Sequence, residues 1–112
     1  EELKNEFPEK EIYNRYVSAV SINYGTALAR IGRGEEGLPF ITRSCESLRK
    51  SAAADPKNYE AKRDISECLQ YLAFAFDAMK KSQKAVEVNK ESIKILEEIT
   101  VEDPTNFEFL SQ

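Results

Sequence analysis

Apolar residues recur every three or four positions along most of the chain, which is the period of an α-helix that buries one face. The helices that this period predicts cover about residues 12–31, 36–53, 58–80 and 83–101. We expect residues 1–11 to form a charged lead-in and residues 105–112 to begin a partial fifth helix. No segment has the alternating pattern of a β-strand, so the predicted fold class is all-α.

Each predicted helix carries one apolar stripe. In the first helix the stripe consists of Tyr13, Val17, Val20, Tyr24, Ala27, Leu28 and Ile31. In the second it consists of Leu38, Ile41, Cys45, Leu48 and Ala52. The third helix carries Ala61, Ile65, Cys68, Leu72, Ala75, Phe76 and Met79. The fourth carries Ala85, Asn89, Ser92, Ile93, Leu96 and Ile99.

Short breaks separate the first helix from the second and the third from the fourth. Gly32-Arg33-Gly34 is expected to end the first helix, because glycine supplies the left-handed geometry of a helix C-terminus. Lys81-Ser82 is expected to form the other turn, with Ser82 as the N-cap of the fourth helix. Each pair of helices is thus predicted to form a hairpin.

The break between the two hairpins is a tetrapeptide that returns. Asp55-Pro56-Lys57-Asn58 recurs as Asp103-Pro104-Thr105-Asn106, and the offset is 48 residues (103 − 55 = 48). Phe7-Pro8 stands one period earlier as a degraded copy. Asp55 is expected to cap the third helix, with Pro56 in its first turn. A fixed period of this length indicates a helical repeat.

The two periods keep the size class of their residues when they are laid over each other. The pairs are Tyr24 and Leu72, Gly25 and Ala73, Gly37 and Ala85, Ser44 and Ser92, and Leu48 and Leu96. Small residues coincide where two helices must approach closely, and large residues coincide where a core must be filled. The prediction is one domain over residues 1–112, with hairpins at about 12–53 and 58–101.

These positions resemble the tetratricopeptide repeat. That family has a large residue followed by a small one and then an aromatic, as in Leu72-Ala73 and Phe76, and small residues at the places of Ala85 and Ser92. The resemblance covers about residues 12–106 and implies a right-handed solenoid of stacked antiparallel hairpins. The period departs from the family, whose repeat has about 34 residues. The long period is similar to helical arrays that follow bacterial serine/threonine protein kinase domains.

The resemblance also implies a site, because first helices of the family line a groove that receives a peptide or a partner helix. The matching positions are Ile22, Thr26, Arg30, Glu67, Gln70, Tyr71, Phe74 and Ala78. Tyr71 and Phe74 are candidate anchors for a partner, since aromatic residues dominate interface energies. The alternative is that both aromatic side chains pack against the neighbouring hairpin.

The amino-acid composition excludes most kinds of catalytic site. The chain has no histidine, which excludes Ser-His-Asp and Cys-His pairs and removes the commonest metal ligand. No glycine-rich phosphate loop is present. We therefore expect no catalytic residues, no cofactor and no metal. The net charge of −4 argues against nucleic acid or an anionic membrane as the partner.

The leading hypothesis is a non-catalytic protein–protein interaction or scaffold module in the cytoplasm. Because the chain begins at Glu1 and not Met, we expect a piece of a larger protein, such as a kinase-linked repeat region. The alternatives are a structural spacer or dimerisation arm without a ligand, and a helical-bundle enzyme that uses carboxylates alone. Two hairpins leave apolar ends, which predicts homodimers through those ends. Cys45 and Cys68 are expected to be buried thiols, although a disulfide between them is an alternative.

Overall fold

The structure is a computed structural model that describes residues 2–102, with the side chains of residue 10 and residues 12–101. Its helices are α1 (Glu2–Arg30), α2 (Gly34–Ala54), α3 (Tyr59–Ala78) and α4 (Ser82–Glu102). The described residues contain no strand, which confirms the all-α class. The partial fifth helix predicted over 105–112 lies outside the described residues.

The start of α1 differs from the prediction. Residues 1–11 were expected to be a lead-in, but α1 begins at Glu2 and runs through Pro8. This segment is rich in Glu, Leu and Lys, which are strong helix formers. Helix propensity therefore extends α1 beyond the stretch in which the apolar period is visible.

The turns inside the two hairpins have the same geometry. Gly32 and Lys80 both have positive φ, at 84° and 62°. In the first turn, the amide of Arg33 donates to the carbonyl oxygen of Leu28 at 2.8 Å, and in the second the amide of Lys81 donates to that of Phe76 at 2.8 Å. Both are Schellman motifs, which satisfy the last carbonyls of a helix.

The predicted N-cap of α4 is wrong. Ser82 is the first residue of α4, and the carbonyl of Lys81 accepts the first helical hydrogen bond, from the amide of Ala85 at 3.1 Å. Lys81 therefore occupies the N-cap position. The Schellman motif fixes the chain here, because it uses Lys80 and Lys81 as its last two residues.

The tetrapeptide between the hairpins caps α3 through its last residue and not its first. The side chain of Asn58 accepts a hydrogen bond from the amide of Ala61 at 3.1 Å. Asp55 instead follows α2 as its C-cap, where its own amide donates to the carbonyl oxygen of Ala52. The prediction that Asp55 caps α3, with Pro56 in its first turn, is wrong, because three residues separate Asp55 from the helix, which begins at Tyr59.

Helices within a hairpin are joined by matching contacts. In hairpin 1 (α1 and α2), the Ser44 hydroxyl donates to the carbonyl oxygen of Ser18 at 3.3 Å. In hairpin 2 (α3 and α4), the Ser92 hydroxyl donates to that of Ser66 at 3.0 Å, and the two hydroxyls lie 2.7 Å apart. Because these pairs stand one period apart, the sequence repeat is also a repeat of tertiary contacts.

The two hairpins pack through α2 and α3. The cluster at this interface is apolar and almost fully buried; it includes Ile41, Cys45, Leu48, Ile65, Cys68 and Ala75. Ion pairs lie on both sides of it: Arg15 of α1 binds Glu60 and Asp64 of α3, and Arg49 of α2 binds Glu91 of α4. The ion pairs thus link first helix to first helix and second helix to second helix, while the apolar packing between the hairpins joins α2 to α3.

The apolar stripes differ in how far they are buried. Those of α2 and α3 are mostly buried, as a core stripe should be. In α1 only Leu28 of the stripe is buried, whereas the other residues of the stripe are exposed. The outward side of α4 is also partly apolar, since Ile93 is 55% exposed. The described residues place no further helix against these two faces.

Candidate protein-interaction groove

A groove lies between the two first helices, α1 and α3. Its volume is about 410 Å³. Its floor is apolar and consists of Ala19, Ile22, Leu48 and Cys68. Tyr16 and Tyr71 contribute aromatic walls, and the remaining lining residues are Arg15, Ser18, Asn23, Asp64 and Glu67. An apolar floor with a few polar groups at its rim is the usual composition of a small binding site.

The helical period places these residues on one surface. Ala19 and Ile22 stand three positions apart on α1, and Glu67 and Tyr71 stand four apart on α3, so each pair faces the same way. Small side chains at Ala19 and Cys68 leave room between the helices, while Leu48 of α2 closes the floor from below. The groove therefore exists because its central positions are small.

One end of the groove is held by an ion-pair cluster. Arg15 donates to Glu60 at 2.7 Å, and its Nε lies 2.9 Å from a carboxylate oxygen of Asp64. Partial burial opposes the charged form, but the hydrogen bond with Glu60 and the charge of Asp64 together raise the pKa of Arg15 above its ordinary value. Arg15 is therefore a permanent cation that ties α1 to α3.

Three predicted site residues line this groove: Ile22, Glu67 and Tyr71. Ile22 is buried and forms part of the floor, whereas Glu67 is exposed at the rim. Tyr71 is half-buried and packs against the core cluster while one side of its ring faces the groove. Tyr71 thus packs against the core and also lines the groove, and its role as an anchor for a partner stays a prediction.

Arg30 and Phe74 form a separate contact between α1 and α3. The guanidinium carbon of Arg30 lies 5.6 Å from the centre of the Phe74 ring, which is a cation–π distance. Phe74 remains 41% exposed. Phe74 also lines a depression between α3 and α4, together with Gln70. The predicted positions are therefore divided between two surfaces.

The remaining predicted positions lie away from the groove. Thr26 is buried, and its hydroxyl has no hydrogen-bond partner among the described residues. Ala78 lines a depression at the hairpin tips, beside Ala29 and Met79. The side-chain amide of Gln70 donates to the Ser92 hydroxyl at 3.5 Å. These residues belong to helix–helix contacts or to other depressions.

The two cysteines are free and buried, as predicted. The Cys68 sulfur donates to the carbonyl oxygen of Ile41 at 3.7 Å. A hydrogen bond with Cys45, reinforced by burial, raises the pKa of Cys68 well above the ordinary range of a thiol. Cys68 therefore stays protonated, and its uncharged thiol forms part of the groove floor.

Several lining residues were missed at the level of sequence, most clearly Arg15, Ala19 and Asp64. The ion pairs of Arg15 join residues 45 and 49 positions apart, which is close to one repeat period. Opposite charges one period apart on first helices are a detectable signal for such a contact. Ala19 carries no comparable signal, since an exposed alanine is common on any helix.

The chain matches no protein-family model, no curated protein and no solved structure. None of the described helices is long and apolar enough to cross a membrane. Within the same residues, no three His, Cys, Asp or Glu side chains are grouped so that they could hold a metal ion. The groove and the surfaces of this chain are therefore the evidence for its function.

Proposed function

We propose that the chain is a non-catalytic protein–protein interaction module whose binding site is the groove between α1 and α3. The observation that carries this proposal is the groove itself, which is about 410 Å³ in volume and has an apolar floor between two rigid helices. A groove of this shape accepts a side chain or a short segment of another protein. The apolar cluster between α2 and α3 and the ion pairs of Arg15 hold it in place.

The lining indicates what kind of segment fits. Ala19, Ile22 and Cys68 favour a large apolar side chain on the floor. Glu67 is exposed at the rim, whereas Asp64 is paired with Arg15. A basic side chain next to the apolar anchor therefore finds a carboxylate at Glu67. The proposed ligand is a peptide segment that combines an apolar anchor with a neighbouring Lys or Arg.

The proposal also covers the repeat architecture of the chain and the kind of protein in which it occurs. The repeated hydrogen bonds and Schellman motifs support a tetratricopeptide-like solenoid with a period of 48 residues. Such a module serves as a scaffold in a longer cytoplasmic protein, for example beside a kinase domain. The resemblance of the residue pattern to such arrays is the support for that setting.

The experiment fills the groove and leaves the core intact. Ala19 is exposed and lies on the groove floor, so Ala19→Phe places an aromatic ring where the anchor would bind. Ala53→Phe is the matched control, because Ala53 is exposed on α2 and lines none of the depressions described above. Each protein is used to select peptides from a random peptide display library, and circular dichroism verifies that it is folded.

We expect the wild type and the Ala53→Phe variant to enrich the same peptides, with an apolar residue next to Lys or Arg. The Ala19→Phe variant should lose these peptides. Glu67→Gln should retain the apolar preference and lose the basic one. If the Ala19→Phe variant enriches the same peptides as the wild type, or if the wild type enriches none, the groove is not the binding site.

A second candidate function is a dimerisation arm. It is favoured by the exposed apolar stripe of α1, because large exposed apolar surfaces of folded proteins usually mark interaction sites. This surface is largely exposed, although Tyr24 also meets the ring of Phe40 of α2 edge-on, with ring centres 4.8 Å apart. The groove is not required for it. Variants of the groove and variants of the α1 stripe can therefore distinguish the two functions.

A further inference from the structure

The exposed stripe of α1 has a buried counterpart in the same molecule. We call Val17, Val20, Tyr24, Ala27 and Ile31 the α1 outer face. One period later the same positions of α3 are Ile65, Cys68, Leu72, Ala75 and Met79, which are all buried or half-buried. Val20 is 50% exposed, whereas its counterpart Cys68 is 0% exposed. The difference is that α3 packs against α2 along this side. On α1, Val17, Val20, Ala27 and Ile31 stay exposed, and Tyr24 meets the edge of Phe40 of α2, with ring centres 4.8 Å apart.

The outward side of α4 has a counterpart in α2. The residues of α2 that meet α3 include Ile41 and Cys45, because Cys68 binds the carbonyl oxygen of Ile41 and the thiol of Cys45. One period later these positions of α4 are Asn89 and Ile93, and both are exposed. We call Asn89, Ile93 and Leu96 the α4 outer face.

We propose that the α1 outer face of one copy docks on the α4 outer face of a second copy, so that the repeat continues from one molecule into the next. The contact between α2 and α3 within one chain is the template for this interface. It places Val20 of one copy against Ile93 of the other, as Cys68 lies against Cys45. The proposal is independent of ligand binding in the groove.

Charge complementarity supports a second copy of this chain as the partner that covers the α4 outer face. Within the chain, Arg49 of α2 binds Glu91 of α4 at 2.6 Å. One period after Arg49 stands Glu97, and one period before Glu91 stands Arg43. In the proposed dimer these two residues take the places of Arg49 and Glu91. The charges are exchanged, but the pair remains of opposite sign, and both side chains are exposed in the single chain.

The register also limits the interface. The α1 outer face begins at Val17, whose counterpart Ile65 is buried in α3. Ile12 is 66% exposed but lies outside this interface, because its counterpart Glu60 is exposed. Because the two faces differ, the association is heterologous, and it can extend beyond two copies.

The experiment blocks one face at a time in the full chain. Val20→Glu blocks the α1 outer face, and Ile93→Glu blocks the α4 outer face; both positions are at least half exposed, so the core is untouched. Ile12→Glu and Val101→Glu are the matched controls on the same helices, since their counterparts Glu60 and Ala53 are exposed. Sedimentation equilibrium gives the average mass, and circular dichroism verifies the helical content.

We expect the wild type and both control variants to associate with increasing concentration. The Val20→Glu and Ile93→Glu variants should each associate at least about tenfold more weakly. An equimolar mixture of the two should regain a dimer and stop there, because each molecule has one intact face. Charge reversal provides a second test: Arg43→Glu and Glu97→Arg should each weaken association, and mixing these two variants should restore it.

Three results would overturn the proposal. One is a wild type that stays monomeric at high micromolar concentration. Another is an Ile93→Glu variant that still dimerises as well as the wild type, which would indicate a symmetric contact between two α1 helices. The last is a mixture of the blocked variants that stays monomeric. The Ala19→Phe variant should associate normally, so failure of the groove and failure of this interface are distinguishable.

Discussion

Gly32 and Lys80 show how a single backbone position recurs in both hairpins. Both have positive φ and stand one period apart. Glycine adopts this conformation freely, whereas a residue with a Cβ atom is strained by about 1–2 kcal/mol. No neighbouring atom lies within 4 Å of a Cβ added at Gly32, so the cost there comes from the backbone alone. The second turn therefore contains a strain that the first one avoids.

This difference predicts opposite effects of reciprocal substitutions. Lys80→Gly should raise the free energy of unfolding by up to about 1 kcal/mol, and Gly32→Ala should lower it by about 1 kcal/mol. Urea denaturation followed by circular dichroism measures both. Lys81→Gly is the control, because φ of Lys81 is not positive and the substitution should give no gain. Loss of stability in the Lys80→Gly variant would refute the assigned turn geometry.

Both turns are visible in the sequence, but the left-handed residue is signalled only in the first, for a physical reason. A glycine at the end of an apolar period signals a left-handed residue, but Lys80 carries no such signal. The cap of α3 is similar, since Asp55 and Asn58 are both good N-cap residues and only the path of the loop selects Asn58. Local chemistry identifies the candidates, and the backbone path decides among them.

At the scale of elements, close approach of α1 and α2 depends on Gly25 and Gly37. A Cβ added at Gly25 would lie 2.6 Å from the carbonyl oxygen of Gly37 and 2.8 Å from Cγ1 of Ile41. The backbone oxygen cannot move aside without a shift of the helix. In hairpin 2 the same positions are Ala73 and Ala85, which are buried. Hairpin 2 therefore accommodates one methyl group on each helix at this crossing.

Gly25→Ala should destabilise the protein by about 1–3 kcal/mol, because overpacking exceeds the helix-propensity gain of about 1 kcal/mol. Ala73→Leu should cost a similar amount at the equivalent crossing. The substitution Ala27→Gly, at an exposed position of α1, measures separately how much helix propensity contributes to the free energy of unfolding. Thermal and urea unfolding report the changes. A Gly25→Ala variant that is as stable as the wild type would contradict the close crossing.

The bounds of α2, α3 and α4 follow the apolar period to within about three residues, because each begins and ends where the period does. The burial of a stripe could not be predicted in the same way. The stripe of α1 resembles those of α2 and α3 in sequence, but burial depends on which helix lies opposite. Which helix lies opposite depends on how the helices are arranged in the fold, and the local sequence of α1 does not specify it.

The whole molecule is best described by one register of 48 residues that relates its two hairpins. The register explains the repeated turns, the repeated serine contacts and the exposure of α1 beside the burial of α3. The resemblance to tetratricopeptide repeats implied a groove between first helices, but not the ion pairs at its end, because Arg15 and Asp64 act across the hairpins. The central claim is that the same register also governs contact between molecules.

Cysteine cross-linking tests this claim most directly. Val20→Cys in one chain and Ile93→Cys in another should lie against each other, as Cys68 and Cys45 do within one chain. The two variants are mixed with oxidised glutathione, and mass spectrometry identifies the dimers; the native thiols are buried and should not react. Ile12→Cys mixed with Val101→Cys is the control. The account predicts a mixed disulfide dimer in large excess over either homodimer. Random pairing, in which the mixed dimer forms at only about twice the yield of each homodimer, would contradict it.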